Sequence, residues 1–110
     1  MIYSLGNFVE YNGKVCKVIG IGDFEGFGEY NVEGFSLIEF STGITHVLGI
    51  DEKEYITPFY FSNDWHEILR MDVLEFTKAE KEVLTKLIYV HDVQNFIKVV
   101  RPEHEFNTKL

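Results

Sequence analysis

Apolar and polar residues alternate with a strand-like period through the first sixty residues, and the period becomes helical after that. Asn7-Phe8-Val9-Glu10-Tyr11 and Lys14-Val15-Cys16-Lys17-Val18-Ile19 flank Asn12-Gly13. That dipeptide tolerates the positive φ angles of a tight type I′ turn, so a β-hairpin is predicted here. Alternation places Lys14, Cys16 and Val18 on one face and Val15 on the other. A second hairpin is predicted from residues 35–40, a Ser41-Thr42-Gly43 turn and residues 44–50. A fifth strand is expected within 55–61, where Pro58 lacks a backbone donor and therefore marks a sheet edge or a break.

The second part reads differently. Ser62-Asn63-Asp64 ahead of Trp65, Ile68 and Leu69 supplies a cap and an i, i+3, i+4 apolar face, which predicts a short helix near 63–71. Thr77-Lys78-Ala79-Glu80 has the spacing of a capping box, so a longer helix begins at Lys78. Val83, Leu87, Val90 and Ile97 form one stripe and Val93, Phe96 and Val100 another, compatible with one helix or two. Pro102 stops the run, and the residues after it read as a polar, frayed tail. The expected class is α+β: an N-terminal SH3-like small β-barrel or curled antiparallel sheet with C-terminal helices packed on it. The expected organisation is one domain over 1–110, with a β-rich part at 1–61, a helical part at 62–101 and the tail at 102–110.

Composition narrows the function classes. The 110 residues carry 10 Lys and Arg against 18 Asp and Glu, a net charge of −8, which repels phosphate backbones and disfavours general nucleic-acid binding. Cys16 is the single cysteine, so neither an internal disulfide nor a Cys-rich zinc site is available. No apolar run approaches the length of a membrane span, and the N-terminal residues lack the pattern of a secretory signal, so a cytoplasmic protein is expected.

The most unusual text lies between Gly22 and Gly34, which combines glycines, the rings of Phe24, Phe27 and Tyr30, and four acids without a base. A loop of this kind can stack on a planar ligand or dock into a partner's groove; otherwise it is a long hairpin connection whose rings fold back over the sheet. It matches neither the dinucleotide-binding glycine pattern nor the calcium-loop spacing. His46, His66, His91 and His104 fall at unrelated spacings, so no metal site is predicted. Trp65 reads first as a core anchor and second as a contact residue. His91, Gln94 and Asn95 form a polar face at i, i+3 and i+4, read chiefly as structural hydrogen-bonding groups and otherwise as ligand contacts. His91 and Asp92 are not read as a dyad, because neighbouring helical side chains point about 100° apart. Cys16 reads as a small strand hydrophobe rather than a nucleophile.

Tyr89-Val90-His91-Asp92-Val93-Gln94-Asn95-Phe96 resembles a Tyr-Val-His-x-Leu-Gln-Asn motif of small proteins from Bacteroidota phages and mobile elements, with Val93 in place of the leucine. Leu5-Gly6-Asn7-Phe8-Val9-Glu10-Tyr11-Asn12-Gly13-Lys14-Val15 is similar to the opening of the same proteins, which run from a Gly-Asn-x-Val strand into a small barrel. The resemblance implies the architecture and a phage or mobile-element origin.

These readings converge on a non-enzymatic binding protein without a cofactor, engaging a host protein in a possible counter-defence role. The candidate contact residues are Phe24, Phe27, Tyr30, Trp65, His91 and Asn95. The alternative is a sponge that sequesters a nucleotide-like signalling molecule; a small metal-dependent hydrolase ranks below both, since no motif brings a nucleophile, an activator and a charge stabiliser together. Open sheet edges and surplus aromatic residues also invite homo-oligomer formation.

Overall fold

The computed structural model describes the backbone of residues 2–25 and 31–106. The chain forms two compact units, Met1–Pro58 and Phe59–Leu110.

In the first unit, β1 (Phe8–Tyr11), β2 (Lys14–Glu25), β3 (Asn31–Glu39), β4 (Thr45–Gly49) and β5 (Thr57–Pro58) build one sheet in the order β4-β3-β2-β1-β5. Every neighbouring pair is antiparallel. A 3-10 helix at Ile50–Tyr55 joins β4 to β5. The β1–β2 turn has φ of 52° at Asn12 and 71° at Gly13, as the dipeptide predicts. The second hairpin also forms, with Gly43 at φ 72° in its turn. β4 and β5 are not paired with each other among the described residues, so the strands make an open sheet and not a closed barrel.

The expected fifth strand is split at Pro58. Thr57 and Pro58 pair with Glu10 and Val9 at the sheet edge. β1 bonds β2 through Val9 and Tyr11, so Glu10 exchanges hydrogen bonds with Thr57 while the nitrogen of Pro58 faces outward, where its missing donor costs nothing. The residues that follow belong to the second unit: Phe61 N–H donates to Ile88 C=O (2.7 Å) and Val90 N–H to Phe59 C=O (2.9 Å).

Alternation gives the sheet its core face. Val9, Cys16, Val18, Phe35, Leu37 and Leu48 are buried together, joined by Tyr3 and Ile56 from outside the strands. Tyr3 meets Phe35 edge-on at 6.2 Å. Burial of a side chain such as Leu37 contributes about 1.5–3 kcal/mol. A bulge between Val18 and Gly20 adds a residue to β2 and bends it.

In the second unit, α1 (Asp64–Ile68), a 3-10 turn at Met71–Val73, α2 (Lys78–Leu84) and α3 (Val90–Val100) follow in order. The capping box is present in full: Glu80 N–H donates to Thr77 Oγ1 (3.2 Å) and Thr77 N–H to Glu80 Oε1 (2.9 Å). Within the Ser62-Asn63-Asp64 segment expected to supply a cap, Asn63 provides no side-chain cap bond. Asn63 is already helical (φ −60°, ψ −26°), and its side chain bonds none of the first-turn amides. The apolar stripes resolve into two helices, α2 and α3, and α3 buries Val90, Val93, Gln94 and Ile97 at i, i+3, i+4 and i+7.

The described part of the tail is tied down and not frayed. His104 Nε2 lies 2.8 Å from Leu69 O, and Arg70 donates to Glu105 C=O (3.3 Å). Arg101 anchors the end of α3 through paired 2.9 Å bonds to the Glu80 carboxylate.

Candidate functional site

Two strands outrun the sheet. β1 pairs with β2 over Lys14–Lys17, and β4 pairs with β3 over Gly34–Ile38. β2 and β3 continue together through Asp23↔Glu33, Phe24↔Val32 and Glu25↔Asn31, where they pair only with each other among the described strands. The hairpin therefore continues as a two-stranded arm beyond the pairing of β1 and β4, with the 3-10 helix at Ile50–Tyr55 packed against β3. Gly34 sits at its base, opposite Gly49, and a Cβ there would lie 1.8 Å from Leu48 O. Glycine is thus required where β3 and β4 approach most closely.

The acidic, ring-bearing segment maps onto this arm. Phe24 belongs to its β2 strand by backbone pairing, while Phe27 and Tyr30 lie outside the described residues. Trp65 is buried in α1, with its ring 4.9 Å from Phe59. His91 is 2% exposed and Asn95 is half-buried, both on α3. His91 Nε2 lies 3.4 Å from Asp92 Oδ1, although neighbouring helical positions diverge. Both side chains sit in the first turn of α3, where no preceding turn restricts their rotamers. Burial pushes the His91 pKa below its usual 6.5, against the opposing pull of Asp92.

Sequence reasoning missed a polar cluster on the sheet's core face. Glu39 shares that face with Leu37 and Phe35, and His46 is paired across from Leu37. The resulting diagonal brings His46 Nε2 to 2.5 Å from Glu39 Oε2. The Tyr11 ring meets the imidazole edge-on at 5.0 Å. The hydrogen bond from His46 holds the Glu39 carboxyl below its ordinary range, although burial opposes this. Cys16 is paired with Glu39, and its thiol is pushed up to about 11, first by burial and then by the Glu39 charge. The thiol stays protonated at neutral pH and is no nucleophile. The signal was a carboxylate on the apolar side of an alternating strand, which demands a partner, and the 41–43 turn supplies one seven residues on.

The second unit carries an open apolar groove of about 520 Å³, with Phe61, Met71, Phe76, Leu84 and Leu87 on its walls and Lys81 among them. Among the described residues no group of three or more His, Cys, Asp or Glu side chains could hold a metal ion, and no helix is long and apolar enough to cross a membrane.

No protein-family model matches the chain, and comparison with curated proteins and with solved structures finds no match either.

Proposed function

We propose that this is a non-enzymatic binding protein that engages another protein through the β2–β3 arm, the remainder of the chain serving as its mount. The observation that supports the reading is the continuation of β2–β3 pairing as far as Glu25↔Asn31, beyond the residues that pair with either neighbouring strand. The segment holds Asp23, Glu25, Glu29 and Glu33 without a base, together with Phe24, Phe27 and Tyr30. Rings on an acidic hairpin suit a basic, apolar-floored groove: the carboxylates steer the encounter and the rings provide the buried anchors. The strand order, with a 3-10 helix between β4 and β5, supports an SH3-like arrangement of the sheet, a scaffold that displays loops at its rim. The resemblance to phage and mobile-element proteins at 5–15 and 89–96 supports a host protein as the partner.

The test is co-purification from a Bacteroidota host lysate with the full chain and with its Phe24→Ser/Phe27→Ser variant. The wild type is expected to retain a stoichiometric host protein that the variant loses, with the two melting temperatures nearly equal. A large fall in melting temperature would place those rings in the core and defeat the proposal. A rise of several degrees with a nucleotide messenger in a thermal-shift panel would instead favour sequestration of a small signal.

A further inference from the structure

β4 is the strand at one end of the sheet. Glu39 N–H donates to Ile44 C=O (2.8 Å), so along the β3–β4 ladder Ile44, His46 and Leu48 turn their backbone groups toward β3. Thr45, Val47 and Gly49 turn theirs away from the sheet. The outward N–H of Gly49 donates to Glu52 Oε2 (2.9 Å), which ends the row. Thr45 and Val47 are left with outward donors and acceptors that no described strand meets, and both side chains are exposed, Val47 at 53%.

Edges of this kind are ordinarily blocked by charge, proline or brevity. β5 uses the last two, but β4 contains neither a charged Lys, Arg, Asp or Glu nor a proline. Two copies of a chain of net charge −8 repel each other, and this strand adds no carboxylate of its own to that repulsion. Its outward residues are also self-complementary: two β-branched side chains flank the central His46.

We infer that β4 pairs antiparallel with β4 of a second copy about a two-fold axis at His46, joining two five-stranded sheets into one. Thr45 of each copy then lies opposite Val47 of the other, and the two residues exchange N–H···O bonds. This register uses both open residues and leaves Gly49 with Glu52. A strand of this length buries a small area, so the dimer is weak and concentration-dependent.

Sedimentation equilibrium on the full chain, from micromolar to several hundred micromolar, tests it. The average mass is expected to rise toward twice that of the chain. Val47→Pro removes a donor that faces only the second copy, and is expected to raise the dissociation constant by about tenfold or more. Thr45→Lys/Val47→Lys sets like charges opposite one another and acts in the same direction. Thr45→Glu/Val47→Lys restores the dimer through cross-strand ion pairs, which checks the register even if the proline variant fails to fold. Phe24→Ser/Phe27→Ser leaves the dimer intact, so failure of the arm reading is distinguishable. A monomer at every concentration overturns the inference and leaves this edge to a foreign strand. A dimer with the same constant in every variant, or one that the charge swap does not rescue, overturns it as well.

Discussion

The carboxylate of Glu39 and the imidazole of His46 meet at 2.5 Å on the sheet face that carries the buried cluster of Val9, Cys16, Val18, Phe35, Leu37 and Leu48. The His46 hydrogen bond depresses the folded-state pKa of Glu39 below its ordinary 4.5. The unfolded chain therefore takes up the proton first as pH falls, so the stabilisation is present at neutral pH and is lost below about 4.5. Glu39→Gln is expected to lower the urea midpoint at pH 7, and the gap from wild type should close as the solution is acidified through that range. A gap that stays constant with pH would show that the hydrogen bond from His46 to the Glu39 carboxylate is not its source.

Gly34→Ala forces β4 away from β3, since the new methyl would lie 1.8 Å from Leu48 O and 2.9 Å from Gly49 Cα. Backbone atoms cannot yield as a side-chain tip can, so a loss of about 2 kcal/mol or more is expected from chemical denaturation. Gly43→Ala meets open space and carries only the strain of a positive φ (72°), about 1 kcal/mol. Equal losses from the two substitutions would contradict the close approach at the base of the arm.

Arg101 joins three parts of the second unit. Its guanidinium forks onto Glu80, donates to Glu75 C=O (2.7 Å) and lies 5.7 Å from the Phe76 ring centre. Lysine cannot reproduce the fork, so Arg101→Lys lowers the melting temperature although charge is retained. Thr77→Ala removes the cap of α2, at about 1 kcal/mol. Because Glu80 serves both partners, the double variant should lose less than the sum of the single losses. Strict additivity would mean that cap and fork act independently.

The elements that could be read in the sequence were those set by local chemistry. Asn12-Gly13 fixed a turn through the φ values it tolerates, Thr77 with Glu80 fixed a helix start through reciprocal bonds, and Pro58 fixed an edge through its missing donor. Strand lengths were less legible, because β2 and β3 extend together well past the residues where alternation is clear, and only their mutual pairing defines the arm. The Glu39 and His46 contact depends on the register across a hairpin, a nonlocal property that alternation only hints at. The Ser62-Asn63-Asp64 segment located the start of α1, but the residue that would cap it was not legible, since Asn63 is itself helical and makes no cap bond.

His91 gives a pH dependence separate from that of Glu39. Burial lowers its folded-state pKa below 6.5, so the unfolded chain binds the proton first and stability falls as pH drops from 6.5 toward the lower folded value, then levels off. His91→Gln is expected to flatten the urea midpoint over that interval, read by Trp65 fluorescence, while leaving the acid limb below pH 4.5 in place. An unchanged slope would reject His91 as the titrating group.

The arm can be cut back to its paired base. Replacing residues 23–33 by Asn-Gly, the dipeptide that already closes β1–β2, joins Gly22 to Gly34, which are paired across the hairpin. The decisive measurement is the stoichiometry of the host protein retained by this shortened chain, with its melting temperature taken alongside. The account predicts an unchanged melting temperature and no retained partner. Retention of the same partner at the same stoichiometry would contradict it.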